Sequence, residues 1–345
     1  MSSEKSFHKI SDLAAAGLIS PAKVPALEKV AARYAVAVTP ALAALIDKSD
    51  PADPIARAFV PSEAELETAP EERLDPIGDT AHSPVPGIVH RHRDRALFEP
   101  ILACPAYCRF CFRRAEIGRG ENALSAEATD RAIAYIAFHP EIREVILTGG
   151  DPFALSARRA GEIASRLAAI DHVRVVRWHT RVPITEPEHV SDAFVAALIV
   201  PGATTVVALH ADHPRELHPE ARAACARLID AGIPMVSQTV LLKGVNDTVE
   251  TLQALMETLV EMRIKPYYLH HPDLAPGTGH FRVSVEDGLA LMRELRKRVS
   301  GLCVPHYVLD IPGGFAKVPL DSADVEKTDT GWRVRDHVGD WHEYP

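Results

Sequence analysis

The sequence predicts an α/β fold, a partial or complete parallel (β/α) barrel with an N-terminal helical appendage. From Gly87 onward, short β-branched apolar runs alternate with amphipathic helical stretches, the pattern of a parallel sheet covered by helices. At least six such units follow one another without interruption, which favours a barrel over a doubly wound sheet. Polar residues also gather at the ends of those runs, where barrel strands converge on one mouth.

Residues 1–86 read as the appendage and a connector. Helical periodicity runs through SDLAAAGL, KVPALEKVAARYAV and TPALAALIDKS, each opened by Ser, Pro or Thr-Pro, which are helix start signals. ETAPEERLDPIGDTAHSPVPG then collects proline, glycine and acids and reads as irregular chain. Residues 87–310 are the barrel. Its strands are expected in RALFEPILA, REVILTGG, VRVVRWHT, ATTVVALH, PMVSQTVLL, IKPYYLHH and CVPHYVLD. Helices are expected between them around SAEATDRAIAYIAF, SARRAGEIASRLAAI, DAFVAALIV, ARAACARLIDAG, DTVETLQALMETLVEM and VEDGLALMRELRKRV. Residues 311–345 remain as a C-terminal segment.

With 345 residues and 47% hydrophobic content the chain can bury a large core. Its net charge of −9 comes without a basic stripe, which argues against nucleic acid as a partner. The sequence has no run of about 18 apolar residues to span a membrane. The start MSSEKSFHKISDL lacks the basic-then-apolar signature of a secretion signal, so the expected location is cytoplasmic. Five cysteines, three of them crowded together, do not form a disulfide framework.

That crowded triplet, Cys104, Cys108 and Cys111 in CPAYCRFC, holds the most chemical information. A cubane iron–sulfur cluster normally takes four thiolates, so three local ones leave an iron open to a substrate or second cofactor. Zinc is the alternative, with His90 or His92 completing a tetrahedral set. Cys225 and Cys303 lie in apolar stretches and read as small buried hydrophobes. In the barrel register the triplet follows the first strand and Gly149, Gly150 and Asp151 follow the second. His179 and Arg181 follow the third, His210 ends the fourth, Gln238 lies in the fifth and Asp273 follows the sixth. The pair His270-His271 and the string from His210 to His213 are weaker hints of a mononuclear metal.

CPAYCRFC matches the cysteine loop of radical S-adenosylmethionine (SAM) enzymes, with Phe110 in the aromatic slot. CRFCFRRAEIG, ILTGGDPFAL, QTVLLKGVND, DLAPGTGHFR and VLDIPGGFAKVPL, in that order over roughly residues 87–320, resemble the lysine 2,3-aminomutase family of those enzymes. The resemblance implies a barrel of the radical SAM type, a [4Fe–4S] cluster on the three cysteines, and SAM chelated by the open iron. It implies SAM contacts from Gly149, Gly150, Asp151, His210 and Gln238, with glycine letting backbone approach the ligand and a carboxylate accepting from an ammonium. Lys317 becomes the lysine that holds pyridoxal 5′-phosphate (PLP) covalently, Gly313 and Gly314 present it, and Arg95 binds the phosphate. Phe315-Ala316 stands where the family commonly has a glycine-rich run.

For the substrate, the resemblance implies that Arg113 pairs with the carboxylate and that Asp273 and Asp310 pair with the distal ammonium of L-lysine. The activity implied is an isomerase, moving the α-amino group of L-lysine to the β carbon with the help of an electron donor. Aminomutation of another amino acid such as glutamate is the alternative within the class, and a non-catalytic metal-binding module is the alternative outside it. The sequence stops soon after the lysine motif, at VRDHVGDWHEYP, without the cysteine-bearing tail of longer relatives. That gives an expectation of no zinc, leaves homo-oligomer formation open, and resembles the short relatives that supply β-lysine for elongation factor P.

Overall fold

A computed structural model of the chain describes residues 6–118, 123–320, 325–336 and 339–345. Its main element is a nine-stranded sheet whose spatial order equals its sequence order, β1 to β9. The strands are β1 (Ile88–His92), β2 (Arg95–Ile101), β3 (Glu144–Gly149), β4 (Val175–Thr180), β5 (Thr204–His210), β6 (Met235–Val240), β7 (Lys265–His270), β8 (His306–Asp310) and β9 (Lys317–Pro319). Strands β2 to β8 pair parallel throughout. β1 lies antiparallel on β2, and β9 antiparallel on β8. No pairing joins the two edges among the described residues, so the barrel is partial.

The appendage contains α1 (Ile10–Ala15), α2 (Val24–Arg33), α3 (Pro40–Leu45) and α4 (Pro54–Phe59). The helices outside the sheet are α5 (Ala126–Phe138), α6 (Ala157–Ala168), α7 (Val182–Thr185), α8 (Asp192–Leu198), α9 (Pro219–Asp230), α10 (Val249–Glu261) and α11 (Val285–Arg298). Five of these covering helices start where the sequence supplies a hydroxyl. Ser125, Ser156, Ser191, Thr248 and Ser284 each accept a hydrogen bond from a backbone N–H in the first turn of α5, α6, α8, α10 and α11, which satisfies one of the helix's orphan donors.

Period-two alternation decides which strand residues meet the helices. Val145, Leu147, Val176, Trp178, Val207 and Leu209 are fully buried in the core. Their neighbours Glu144, Ile146, Thr148, Arg177, His179 and His210 line the lumen. A closed (β/α) barrel fills its interior with branched apolar side chains. This lumen is instead partly polar and open, as a partial barrel that houses ligands requires.

The appendage is not a separate unit. Tyr107 and Arg109, inside the cysteine loop, donate backbone hydrogen bonds to Ala37 and Ala58, at 3.0 and 2.8 Å. The connector is also held: Gly78 packs so closely on Gly313 that a Cβ there would lie 2.3 Å from the Gly313 carbonyl oxygen. The boundary expected at residue 310 falls inside the β8–β9 hairpin, because the Pro-Gly-Gly turn folds the chain back onto the same sheet. Gly313 and Gly314, at φ of +97° and +85°, form that turn, which side chains with a Cβ resist. A second small sheet, β10 (Val325–Lys327), β11 (Trp332–Arg335) and β12 (Trp341–Tyr344), follows it. The sequence reading contained neither this sheet nor α4 nor β1.

Candidate active site

One cavity of about 410 Å³ runs through the lumen, and every site residue expected from the sequence lines it. Cys104, Cys108 and Cys111 stand at one end, Arg95 at the other, and Arg113, Gly149, Gly150, Asp151, His210, Gln238, Asp273, Asp310 and Lys317 lie along the wall.

The cysteine loop leaves the C-terminal end of β2 and lies directly on the end of β3. Gly150 and Asp151 donate to the carbonyls of Ile101 and Ala103 at 2.7 and 2.9 Å. A Cβ at Gly150 would sit 2.3 Å from the Ala103 oxygen. The glycines therefore serve the approach of the cysteine loop in the first instance. Asp151 also has contacts within the fold. Its carboxylate accepts from Thr180 Oγ1 and the Arg181 amide, both at 2.7 Å, and from the Phe153 amide at 3.0 Å. A buried carboxylate with three donors ties β3 to β4 while still lining the cavity.

All three cysteines are free thiols. Burial raises each pKa, that of Cys108 to about 12, although the Arg181 guanidinium pulls it down. Protonated thiols become ligands only when cationic iron takes the proton's place, so the set fits a cluster. Arg181 is itself held by Asp212 at 2.6 Å and by Glu216. His90 points away, with Nδ1 2.9 Å from the Tyr135 hydroxyl, and does not complete a zinc set. No group of three His, Cys, Asp or Glu side chains among the described residues could hold a single metal ion. His271 bonds the Tyr307 hydroxyl at 2.7 Å. Cys225 and Cys303 are buried, as expected.

Arg113 carries two carboxylates on Nη2, Asp79 at 2.6 Å and Glu99 at 3.1 Å. Its Nε and Nη1 donate to no described residue, which leaves donors for a substrate carboxylate. Asp79 comes from the connector, so the appendage segment closes this corner. Lys317 opens β9 opposite Asp310. Its Nζ pairs with the Asp310 carboxylate, lies 3.2 Å from His270 Nδ1, and stands 5.6 Å above the Tyr268 ring. The Asp273 side chain accepts no hydrogen bond from the described residues. Burial and the nearby Asp310 push its pKa up to about 7. Burial also acts on Asp310, but the Lys317 ammonium beside it outweighs burial and holds the carboxyl well below its ordinary range.

This asymmetry predicts a pH dependence. In the unfolded chain Asp273 ionises near its ordinary value of 3.8, in the folded chain near 7. Between those values the unfolded state releases the proton first, so stability falls as pH rises and levels off above about 7. Asp273→Asn should therefore raise the melting temperature of the ligand-free protein increasingly from pH 5 to 7.5. Parallel melts with an unchanging gap would contradict it.

Several lining residues were missed by the sequence reading. Arg177, Tyr267 and Tyr268 stand with Arg95 and Glu144 at the far end. Arg177 pairs with Glu144 at 3.0 Å, and Arg95 pairs with Asp94 at 2.8 Å. Part of the signal was available: Arg177 and His179 in VVRWHT, and Tyr268 and His270 in KPYYLH, are two residues apart and face the lumen, whereas Tyr267 lines it out of that alternation.

A three-cysteine loop at the mouth of a partial (β/α) barrel defines a radical SAM enzyme, and the radical SAM superfamily model matches residues 98–259. Within that class the chain belongs to the lysine 2,3-aminomutase family. It is 39% identical to the L-lysine 2,3-aminomutase of Acetoanaerobium sticklandii over 83% of this chain and 69% of that protein. It is 37% identical to the putative L-lysine 2,3-aminomutase of Aquifex aeolicus over 89% of this chain and 83% of that protein. The glutamate 2,3-aminomutase of Clostridioides difficile is 36% identical over 85% of this chain and 69% of that protein. The protein is thus an isomerase of a family that works with a [4Fe–4S] cluster, SAM and PLP. No helix among the described residues is long and apolar enough to cross a membrane.

Proposed function

We propose that the protein moves the α-amino group of L-lysine to the β carbon. Cys104, Cys108 and Cys111 hold the cluster, and His210 and Gln238, paired in register on β5 and β6, line the SAM site beside Gly149 and Gly150. Asp151 positions that wall. Lys317 holds PLP, and Arg95 with Arg177 faces its phosphate. When bound, the cluster and SAM supply the radical that abstracts hydrogen, with an electron from an external donor, and PLP supplies the conjugated system across which nitrogen migrates. The chain's own residues orient the substrate and keep water out. Arg113 takes the substrate carboxylate.

The observation that carries the choice of lysine is the acidic wall. Asp273, with no hydrogen-bonding partner among the described residues, faces the same cavity as Asp310. A distal ammonium is costly to bury unless paired, and this wall supplies the pair. Glutamate would bring a carboxylate against the same acids. Anaerobic reconstitution with iron, sulfide and PLP, then SAM, dithionite and a panel of amino acids, tests the reading. β-Lysine is the expected product, and turnover of glutamate with none of lysine would overturn it.

A further inference from the structure

Strand β4 and the residue after it put Arg177, His179 and Arg181 into the cavity at every second position, in steps of about 6.6 Å. Arg177 pairs with Glu144, and Arg181 is held by Asp212 and Glu216. His179, between them, is different. Its buried Nε2 has no hydrogen-bonding partner among the described residues, and a buried polar atom in that state calls for an explanation. The same holds of His210, which already faces the SAM site. His179 pairs in register with Ala208 on β5, whereas His210, two residues further on, pairs with Gln238 on β6. His179 thus stands one step from His210 toward Arg177. The two imidazoles, with ring centroids 5.7 Å apart, lie where the SAM half of the cavity meets the PLP half.

The shape of the cofactor says what meets His179 there. In PLP the ring nitrogen is para to the aldehyde carbon, and the phosphate arm leaves from the carbon beside the latter. Lys317 stands on β9, at one edge of the sheet, while β4 is near its middle and lines the same cavity. With the aldehyde carbon at Lys317 and the phosphate at Arg95 and Arg177, the ring crosses the lumen and turns its nitrogen to the β4 wall. We propose that His179 is a cofactor-binding residue whose Nε2 donates a hydrogen bond to the pyridine nitrogen of PLP. The inference rests on Lys317 being the PLP lysine.

The chemistry of the wall agrees with this role. A PLP enzyme that uses the ring as an electron-pair sink sets an acid or a cation at the pyridine nitrogen. At the level of His179 the wall offers a different group. Glu144, one strand away, is paired with Arg177, and the His179 imidazole is kept neutral by burial and by the Arg177 charge. A neutral imidazole has one N–H to donate and no carboxylate charge with which to hold a proton on the ring. The nitrogen therefore stays unprotonated, which suits a ring that shares an unpaired electron and stores no electron pair.

The test measures binding of PLP and of 1-deazapyridoxal 5′-phosphate, in which a C–H replaces the ring nitrogen, to protein that carries its cluster. The wild-type preference for PLP over the analogue should fall about fivefold or more in His179→Ala, the size of one hydrogen bond. His179→Phe keeps the ring volume without the donor and should show the same loss, should the Ala variant fold poorly. His179→Gln, whose amide reaches toward the same point, should recover part of the preference. His210→Ala, on the SAM side, should keep it, and iron content should stay at the wild-type level throughout. A preference that survives in both His179→Ala and His179→Phe, or that is lost equally in His210→Ala, would overturn the inference. Borohydride reduction and peptide mapping of the wild-type protein separate the two levels: absence of the cofactor from Lys317 would overturn its role as the PLP lysine, whereas cofactor on Lys317 with an unchanged preference would overturn the role of His179 alone.

Discussion

Lys317→Ala is expected to lose covalent PLP and turnover while keeping its full iron content. Deleting a covalent nucleophile removes a whole reaction route, and a loss of at least about 10³-fold is the expected scale. The iron should stay because Lys317 sits on β9, whereas the cysteines sit on the loop after β2. Its removal also has a structural cost. Asp310, mostly buried, loses the cation paired with it, and breaking such a pair costs roughly 3–5 kcal/mol unless the carboxyl takes up a proton. The single variant should therefore be less stable at pH 8 than at pH 6. The double variant Lys317→Ala/Asp310→Asn should recover the stability at pH 8 and still bind no PLP covalently. Iron analysis, borohydride trapping and melting curves separate these outcomes, and turnover by Lys317→Ala at a wild-type rate would sink the assignment.

How much of this was legible in the sequence depends on how local each signal is. The strand and helix alternation is local, and the structure reproduces it from β2 to β8, with five of the helices between capped by a hydroxyl. The cysteine triplet is local too. Lys317 was legible only through resemblance, because its environment comes from a hairpin partner seven residues away and from His270 on another strand. The Pro-Gly-Gly turn was read as a presenter of the lysine, but its pairing with β8 was not, so the chain was divided at residue 310. Arg113 was identified without the two acids on it, since Asp79 and Glu99 meet it only after the connector folds over β2. Asp151 shows a second kind of signal. A carboxylate after two glycines suggested a ligand contact, and only the fold reveals that it also accepts from Thr180 and Arg181.

The largest structural effect is expected at a residue the sequence left anonymous. Glu65, in a short 3-10 helix of the appendage, is fully buried and holds both Arg109 and Arg114. Arg109 lies between Cys108 and Cys111, and its Nη1 also donates to the Ala35 carbonyl at 2.7 Å. Arg114 lies 3.6 Å from the Tyr34 ring centroid and donates to the Gly277 carbonyl at 3.0 Å. One carboxylate thus fastens the cysteine loop to the appendage and to the loop after β7. Glu65→Ala leaves two buried guanidiniums without their anion, a change of about 3–5 kcal/mol and a fall in melting temperature on the order of 10 °C. The loop that carries the cysteines loses its anchor at the same time, so iron bound after reconstitution should fall as well. Glu65→Gln keeps the shape and two acceptor lone pairs and should fall between the variant and the wild type. Glu63→Ala is the control, because Glu63 shares the helix but is exposed and should change neither quantity. If Glu65→Ala melts and binds iron as Glu63→Ala does, the appendage does not anchor the cysteine loop. If it behaves as expected, the appendage segment that carries Glu65 supports the active site as its floor.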